Sequence, residues 1–336
     1  MKKWLQGSTL DELVAICRSL SLPAYTAKQI AGWIYNKRIA AIEEMSNLSK
    51  AAREALSEQF EVGGFKAKGV RQSSDGTRKY LFPSLNGTPI EAVMIPDGDR
   101  ATLCVSSQSG CKMGCRFCMT GRMGFKGSLT AGEIISQIMN VEESPELTNV
   151  VFMGMGEPLD NYNEVIKSTE ILTAEWGFGW SPKRITLSTI GILPLLKSFL
   201  DNSKCHLAVS MHNPFDNERE ELMAMQRAYP IGEIIELIRR YDFTGQRRVS
   251  FEYIMFSGWN DTKRHADAIV RLLRGLECRV NLIRFHQISD FPYRTSPDVV
   301  IENFRDRLNS AGITATIRAS KGEDILAACG MLSSKS

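Results

Sequence analysis

Cys111, Cys115 and Cys118 form a C-x3-C-x2-C run, with the aromatic Phe117 directly before the last cysteine. Thiolates are soft ligands suited to zinc and to iron–sulfur clusters. The ligand count is the informative part. A structural zinc closes on four protein ligands, and an ordinary cluster takes four cysteines. Three cysteines leave one iron of a [4Fe–4S] cluster open to a small molecule. The alternative is a zinc knuckle whose fourth ligand is a remote His or Cys. Gly110 and Gly114 flank the run and let the backbone wrap closely around a bound group.

A second constellation is Phe152-Met153-Gly154-Met155-Gly156-Glu157-Pro158. Gly156 and Glu157 can offer bare backbone and a carboxylate to an ammonium group; the same residues also suit a tight strand-to-helix turn. Polar residues end three further apolar runs: Ser188 in Ile185–Thr189, the stretch Ser210-Met211-His212-Asn213, and Asn281 in Arg279–Ile283. Each alone reads as a turn or a capped strand end. Converging on one rim, they would suit a ligand with a ribose and a carboxylate.

The remaining cysteines divide in two. Cys17, Cys205 and Cys278 lie among apolar residues and read as inert core thiols. Cys104 lies seven positions before Cys111, on the strand feeding the cysteine loop, and Cys329 lies in Ala327-Ala328-Cys329-Gly330. Cys329 is either a reactive thiol or a buried residue closing a helix with Gly330 as its cap.

These residues need a scaffold. The chain has 336 residues, 43% hydrophobic and 24% charged, enough for a large α/β barrel with a small extra domain. No apolar stretch approaches the roughly 20 residues of a membrane helix. The start, Met1 to Gly7, lacks an apolar secretory core. Eight cysteines in such a chain suggest a reducing compartment, so a cytoplasmic protein without membrane attachment is expected. A net charge of +3 permits a polyanionic partner without arguing for one.

Residues 1–64 read as a helical unit, opened by the capping box Thr9-x-x-Glu12. Basic residues collect from here onward (Lys28, Lys37, Arg38, Lys50, Arg53, Lys66, Lys68, Arg71, Arg78 and Lys79), as a solvated face or an RNA-facing patch. Residues 65–96 read as a β-meander, with Asp75-Gly76 and Asn86-Gly87 as turns. From 97 to 322 strands and helices alternate, as parallel βα units do. About six repeats predict a partial barrel, with a doubly wound open sheet second; either places functional loops at the strands' C-terminal ends. Residues 323–336 form a final segment carrying Cys329.

In combination, Thr102–Cys111, Gly114–Gly121, Phe152–Pro158, Ser188-Thr189-Ile190-Gly191 and Ala327–Gly330 resemble the radical S-adenosylmethionine (SAM) adenine C2-methyltransferases of the RlmN family. The resemblance spans nearly the whole chain. The segment Arg284–Pro292 departs from the Asn-Pro-containing stretch usual there. The resemblance implies a partial (β/α)6 barrel with an N-terminal helical domain that engages RNA. It also implies one [4Fe–4S] cluster on Cys111, Cys115 and Cys118, and two SAM molecules consumed per turnover. Gly156, Glu157, Ser188, Ser210, Met211, His212 and Asn281 match SAM-contacting positions. Cys329 matches the cysteine that carries a methyl group, Glu91 the proton acceptor and Cys104 the resolving cysteine.

The implied reaction methylates C2 of an adenosine in the peptidyl-transferase centre of 23S rRNA and next to the anticodon in tRNA. It passes through S-methylcysteine and a transient protein–RNA adduct, which a Cys104–Cys329 disulfide releases. It calls for an external electron donor of the flavodoxin/reductase kind and a monomeric enzyme. Two rivals stand beside it: C8 methylation of the same rRNA adenosine, and a non-catalytic metal-containing RNA-binding protein.

Overall fold

The computed structural model describes residues 2–245 and 247–333. Three helices open the chain: α1 (Leu10–Ser19), α2 (Thr26–Ala31) and α3 (Lys50–Gln59). Thr9 and Glu12 cap α1 reciprocally, each side chain accepting from the other's backbone N–H. Leu13, Cys17, Ile30, Ile34 and Leu56 bury among these helices. The short strand Lys3–Trp4 pairs with Phe60–Glu61, and Gln6 Nε2 donates to Gly132 O (2.9 Å) and Ser136 Oγ (2.7 Å), fastening the unit to the rest.

The rest is built on one ten-stranded sheet. β1 (Gly69–Gln72), β2 (Arg78–Phe82), β3 (Ile90–Asp97) and β4 (Arg100–Cys104) run antiparallel. Gly76 and Gly87 supply positive φ in the first two turns of this meander. From β4 onward every neighbour is parallel: β5 (Asn149–Phe152), β6 (Ile185–Thr189), β7 (His206–Ser210), β8 (Val249–Met255), β9 (Arg279–Arg284) and β10 (Thr314–Ile317). The crossovers carry α4 (Ala131–Met139), α5 (Tyr162–Thr173), α6 (Leu193–Asn202), α7 (Ile231–Ile238), α8 (Lys263–Leu273) and α9 (Asp298–Ser310).

Strand order in the sheet follows chain order throughout. A doubly wound sheet reverses its order at a switch point; this one never does. It also curls on itself. After β10 the chain reaches back to the β1–β2 turn at the opposite edge, where Gly322 N–H donates to Asp75 Oδ2 (2.9 Å) and Ser73 Oγ donates to Asp324 Oδ1 (2.6 Å). β1 and β10 do not pair, so the result is a partial (β/α)6 barrel whose gap is crossed by residues 321–333.

Alternation along the strands sorts the side chains. Leu103, Val150, Leu187, Leu207, Val209, Phe251 and Val280 are buried on the helix-covered face. Tyr253 shares it and stacks on Phe304 of α9 at 5.5 Å. The register gives the inner face to the alternate residues. Lys79 lies opposite Val93 and Cys104 opposite both Val93 and Val151; Ser210, Glu252, Asn281 and Thr316 form one continuous row.

Candidate active site

The cysteine loop leaves the barrel mouth at the end of β4. Gly110 has φ +75°, and a Cβ there would lie 1.8 Å from Gly124 O, so only glycine closes this turn. Arg116 N–H donates to Leu222 O (3.0 Å), and Met119 N–H to Gly330 O (2.7 Å). Phe117 meets His212 edge-on at 4.8 Å, which explains the aromatic before Cys118. Burial pushes the Cys111 thiol up to about 12, with the charges of Glu157 and Cys118 adding to it. Cys115 is pushed well up by burial and by Cys118 and Cys111, and Cys118 is raised by burial.

Three mutually repelling thiols held neutral in this way become ligands when a cationic group offsets their charge. Among the described residues no three His, Cys, Asp or Glu side chains converge on a point that would hold a single metal ion. The donor set fits a [4Fe–4S] group.

The exit of β5 packs directly on this loop. Gly156 has φ +98°, and a Cβ there would meet Gln108 Cβ at 2.5 Å. Glu157 is buried; its Oε1 accepts from Thr189 Oγ1 (2.6 Å) and Leu159 N–H (3.1 Å), and its Oε2 from Ile190 N–H (3.0 Å). Burial raises this carboxyl to about 7 against the pull of those bonds. A carboxylate has about four acceptor sites, so one remains for an ammonium group.

Ser188, Ser210 and Asn281 fall on the inner face, each half-buried. Asn281 Nδ2 donates to Glu252 Oε1 (2.7 Å) and Thr316 Oγ1 donates to Asn281 Oδ1 (2.8 Å), so the amide cannot flip. Ser250 Oγ also donates to Glu252 Oε1 (2.8 Å). Burial raises the Glu252 carboxyl. Sequence reading missed Glu252, although a lone acid in the apolar run Val249–Met255 was a usable signal.

His212 sits at φ 56°, and its Nδ1 accepts from Ile254 N–H (3.2 Å), which assigns the proton to Nε2. Burial, then Arg219, push this imidazole down to about 3, so it is neutral. The Met211 side chain is fully buried, leaving only its backbone to meet a ligand. Arg219, also missed, is buried and pins two strand exits: its Nε donates to Met211 O (3.0 Å), its Nη2 to Ser210 O (3.0 Å) and Ile190 O (3.2 Å).

Cys104, Cys329 and Glu91 complete the mouth. Burial, with the charge of Cys329 adding, pushes Cys104 up to about 12, so thiols 225 positions apart share one environment. Residue 329 is exposed to solvent at the mouth, yet burial raises its thiol; Arg318 opposes this, while Glu252 and Cys118 add to it. Among the described residues no helix is closed there: the only helical turn nearby is Glu323–Ile325, and Gly330 takes φ +81° in a turn. Glu91 on β3 is 1% exposed, with Oε1 3.0 Å from Lys79 Nζ and Oε2 accepting from Ser333 N–H (2.9 Å).

Lys79 therefore leaves the set of basic residues open to RNA. Arg78 is engaged too, with Nη1 at 2.6 Å from Glu142 and 2.9 Å from Glu143. Lys28, Lys37, Lys50, Lys66, Lys68 and Arg71 remain exposed. Cys17 and Cys205 are buried as expected, and Cys278 is half-buried.

A parallel barrel with a three-cysteine loop after its first strand and a glycine–glutamate exit after the next defines the radical SAM class. The family model of the Radical SAM superfamily matches residues 105–269. The model of the ribosomal RNA large subunit methyltransferase N-terminal domain matches residues 5–62. A solved radical SAM methyltransferase from Sphaerobacter thermophilus superposes with a TM-score of 0.92 at 39% identity, covering 99% of this chain and 100% of that one. The probable dual-specificity RNA methyltransferase RlmN of Parabacteroides distasonis is 55% identical over 99% of this chain and 97% of its own length. The dual-specificity RNA methyltransferase RlmN of Syntrophus aciditrophicus is 41% identical over 98% and 96%. The chain belongs to the RlmN family of radical SAM RNA methyltransferases. No helix among the described residues is long and apolar enough to cross a membrane.

Proposed function

We propose that this enzyme methylates C2 of an adenosine in 23S rRNA, at the peptidyl-transferase centre, and in tRNA beside the anticodon. The observation that carries the reading is the Cys329 turn brought to the cysteine loop at the barrel mouth, where Met119 N–H, next to Cys118, donates to Gly330 O, next to Cys329 (2.7 Å). C2 lies between two ring nitrogens and is too electron-poor to attack the methyl group of SAM, so an ordinary methyltransferase pocket would fail. When bound, the cluster supplies the electron that cleaves SAM to methionine and a 5′-deoxyadenosyl radical.

The chain's own residues do the rest. Cys111, Cys115 and Cys118 hold the cluster; Gly156, Glu157, Ser188, Ser210, Met211, His212 and Asn281 hold SAM. Cys329 takes a methyl group from a first SAM, a displacement suited to a thiolate. That methyl group gives one hydrogen atom to the 5′-deoxyadenosyl carbon, its own carbon bonds to C2, and the adduct gives up one proton to Glu91 and one electron, for which the cluster would be the acceptor. Cys104 then attacks Sγ of Cys329: the S–S bond forms, the S–C bond breaks, and the freed carbon picks up a proton to become the methyl group. An external reductant then resets the disulfide, and the enzyme draws on an external electron donor of the flavodoxin/reductase kind. Residues 1–64 engage the RNA through their exposed lysines, the meander 65–96 carries Glu91, 97–322 form the catalytic core, and 323–336 present Cys329. The enzyme works as a cytoplasmic monomer. Its target adenine must be unstacked to present C2.

Mass analysis of nucleosides from treated RNA tests this: 2-methyladenosine is expected, and 8-methyladenosine in its place would transfer the reading to C8. Absence of 5′-deoxyadenosine after anaerobic reduction with SAM would remove the radical reading altogether. Cys104→Ala should accumulate a protein–RNA adduct; free methylated RNA at normal yield would take Cys104 out of the scheme.

A further inference from the structure

Lys79 and Glu91 point into the barrel from adjacent strands. Leu81 pairs with Glu91 and Lys79 with Val93, so the two are diagonal neighbours on one face. Their side chains are 4% and 1% exposed, with Nζ 3.0 Å from Oε1. Lysine is almost never this buried without a partner, and the pair must recover a large desolvation cost through further contacts.

Those further contacts come from the segment that carries Cys329. Lys79 Nζ donates to Leu326 O (3.4 Å), and Ser333 N–H donates to Glu91 Oε2 (2.9 Å). Leu326 lies three residues before Cys329 and Ser333 four residues after it. Both ends of the turn are thus pinned on one ion pair. Its middle is held differently: Met119 N–H donates to Gly330 O (2.7 Å) and Thr120 Oγ1 to Leu332 O (2.7 Å), bonds between neutral groups. Only the end anchors depend on charge.

We propose that Lys79 is a positioning residue: with Glu91 it forms a buried latch that holds the Cys329 turn in place, and proton uptake by Glu91 opens it. The proposal rests on the reading of Glu91 as the group that takes the C2 proton. A neutral Glu91 no longer attracts the ammonium, and the bond from Ser333 loses its charge assistance. That proton is released only after the Cys329 carbon has joined C2. Opening therefore falls when the sulfur of Cys329 must turn to put its bond to the RNA carbon in line with Cys104, and not earlier. The other titratable groups at this end of the mouth are Cys104 on β4, Glu252 on β8, Arg318 after β10 and Cys329 itself.

The test uses the full-length, cluster-loaded protein without RNA or SAM, so that it reads the latch apart from the chemistry. Hydrogen exchange is followed at the amides of 326–333, with 135–139 in α4 as an internal control. Glu91→Gln and Lys79→Met should each speed exchange on the order of tenfold, and Lys79→Arg should stay close to the parent. The double variant Lys79→Met/Glu91→Gln should exchange no faster than either single one, because they break the same contact. Unchanged exchange in Glu91→Gln, or additive effects in the double variant, would overturn the latch. Should Lys79→Met fail to fold, Glu91→Gln decides alone. With RNA and SAM, Lys79→Met should lose methylated product without accumulating adduct, because the turn is no longer held for the earlier steps, while Lys79→Arg turns over; normal product from Lys79→Met would deny it a positioning role. Normal product from Glu91→Gln would instead remove Glu91 as the proton acceptor, leaving hydrogen exchange to judge the latch.

Discussion

Along β8, Phe251 and Tyr253 point to the helices while Ser250 and Glu252 point to the barrel interior. The same division repeats on β4 (Leu103 against Cys104), β6 (Leu187 against Ser188), β7 (Val209 against Ser210) and β9 (Val280 against Asn281). One face is dry and fully packed; the other is polar, half-open and cross-linked by side-chain hydrogen bonds. The period of two lets one set of strands carry both stability and chemistry with little interference. A change on the helix face should therefore cost folding, and a change on the inner face should cost binding or turnover.

The largest expected effect lies at the inner mouth. Cys329→Ala should abolish methylation while iron content and visible absorption stay at parent levels; loss of the cluster would make Cys329 a ligand and blur the division. On the other face, Phe251→Ala should destabilise by about 3–5 kcal/mol, read from the denaturant midpoint, with SAM affinity of the folded protein preserved. A matching fall in SAM affinity would show that the two faces are not separable.

Asn281→Ala sharpens the same contrast at smaller size. Losing a pinned amide in the site should weaken SAM binding by about 1–3 kcal/mol, with the unfolding midpoint nearly unmoved. The smallest effect is a pH slope from His212, held near 3 against an ordinary 6.5. Below 6.5 the unfolded chain binds a proton that the folded one refuses, so stability falls as pH drops. At pH 5.5 the loss is about 1 kcal/mol, and His212→Gln should flatten that part of the curve. An unchanged slope would mean that this imidazole can be protonated in place.

Much of this was legible beforehand because it is local. The capping box at Thr9, the glycine turns of the meander and the alternation of apolar runs each depend on residues a few positions apart. The three cysteines and Gly156-Glu157 were legible because their types and spacing have few other uses. Arg219 and Lys79 were not, and Glu252 only as a lone acid in an apolar run. Each is a charged residue in a stretch that reads as ordinary surface or strand, and its role depends on partners up to about 250 positions away: Lys79 reaches Leu326, Arg219 reaches Ile190. The basic series of the N-terminal half erred at Lys79 for the same reason, since composition does not say which lysine faces inward.

By itself the sequence determined the order of strands and crossovers, the cysteine loop at the first parallel strand and the family to which those motifs point. These follow from short-range spacing and from residue types with narrow chemistry. Only the tertiary structure decided that Glu91 is bonded to the segment carrying Cys329, that residues 321–333 cross the barrel gap, and that a lysine is buried beneath them. Those facts depend on how far the sheet curls, which is the summed twist and packing of ten strands and appears in no single stretch of the chain.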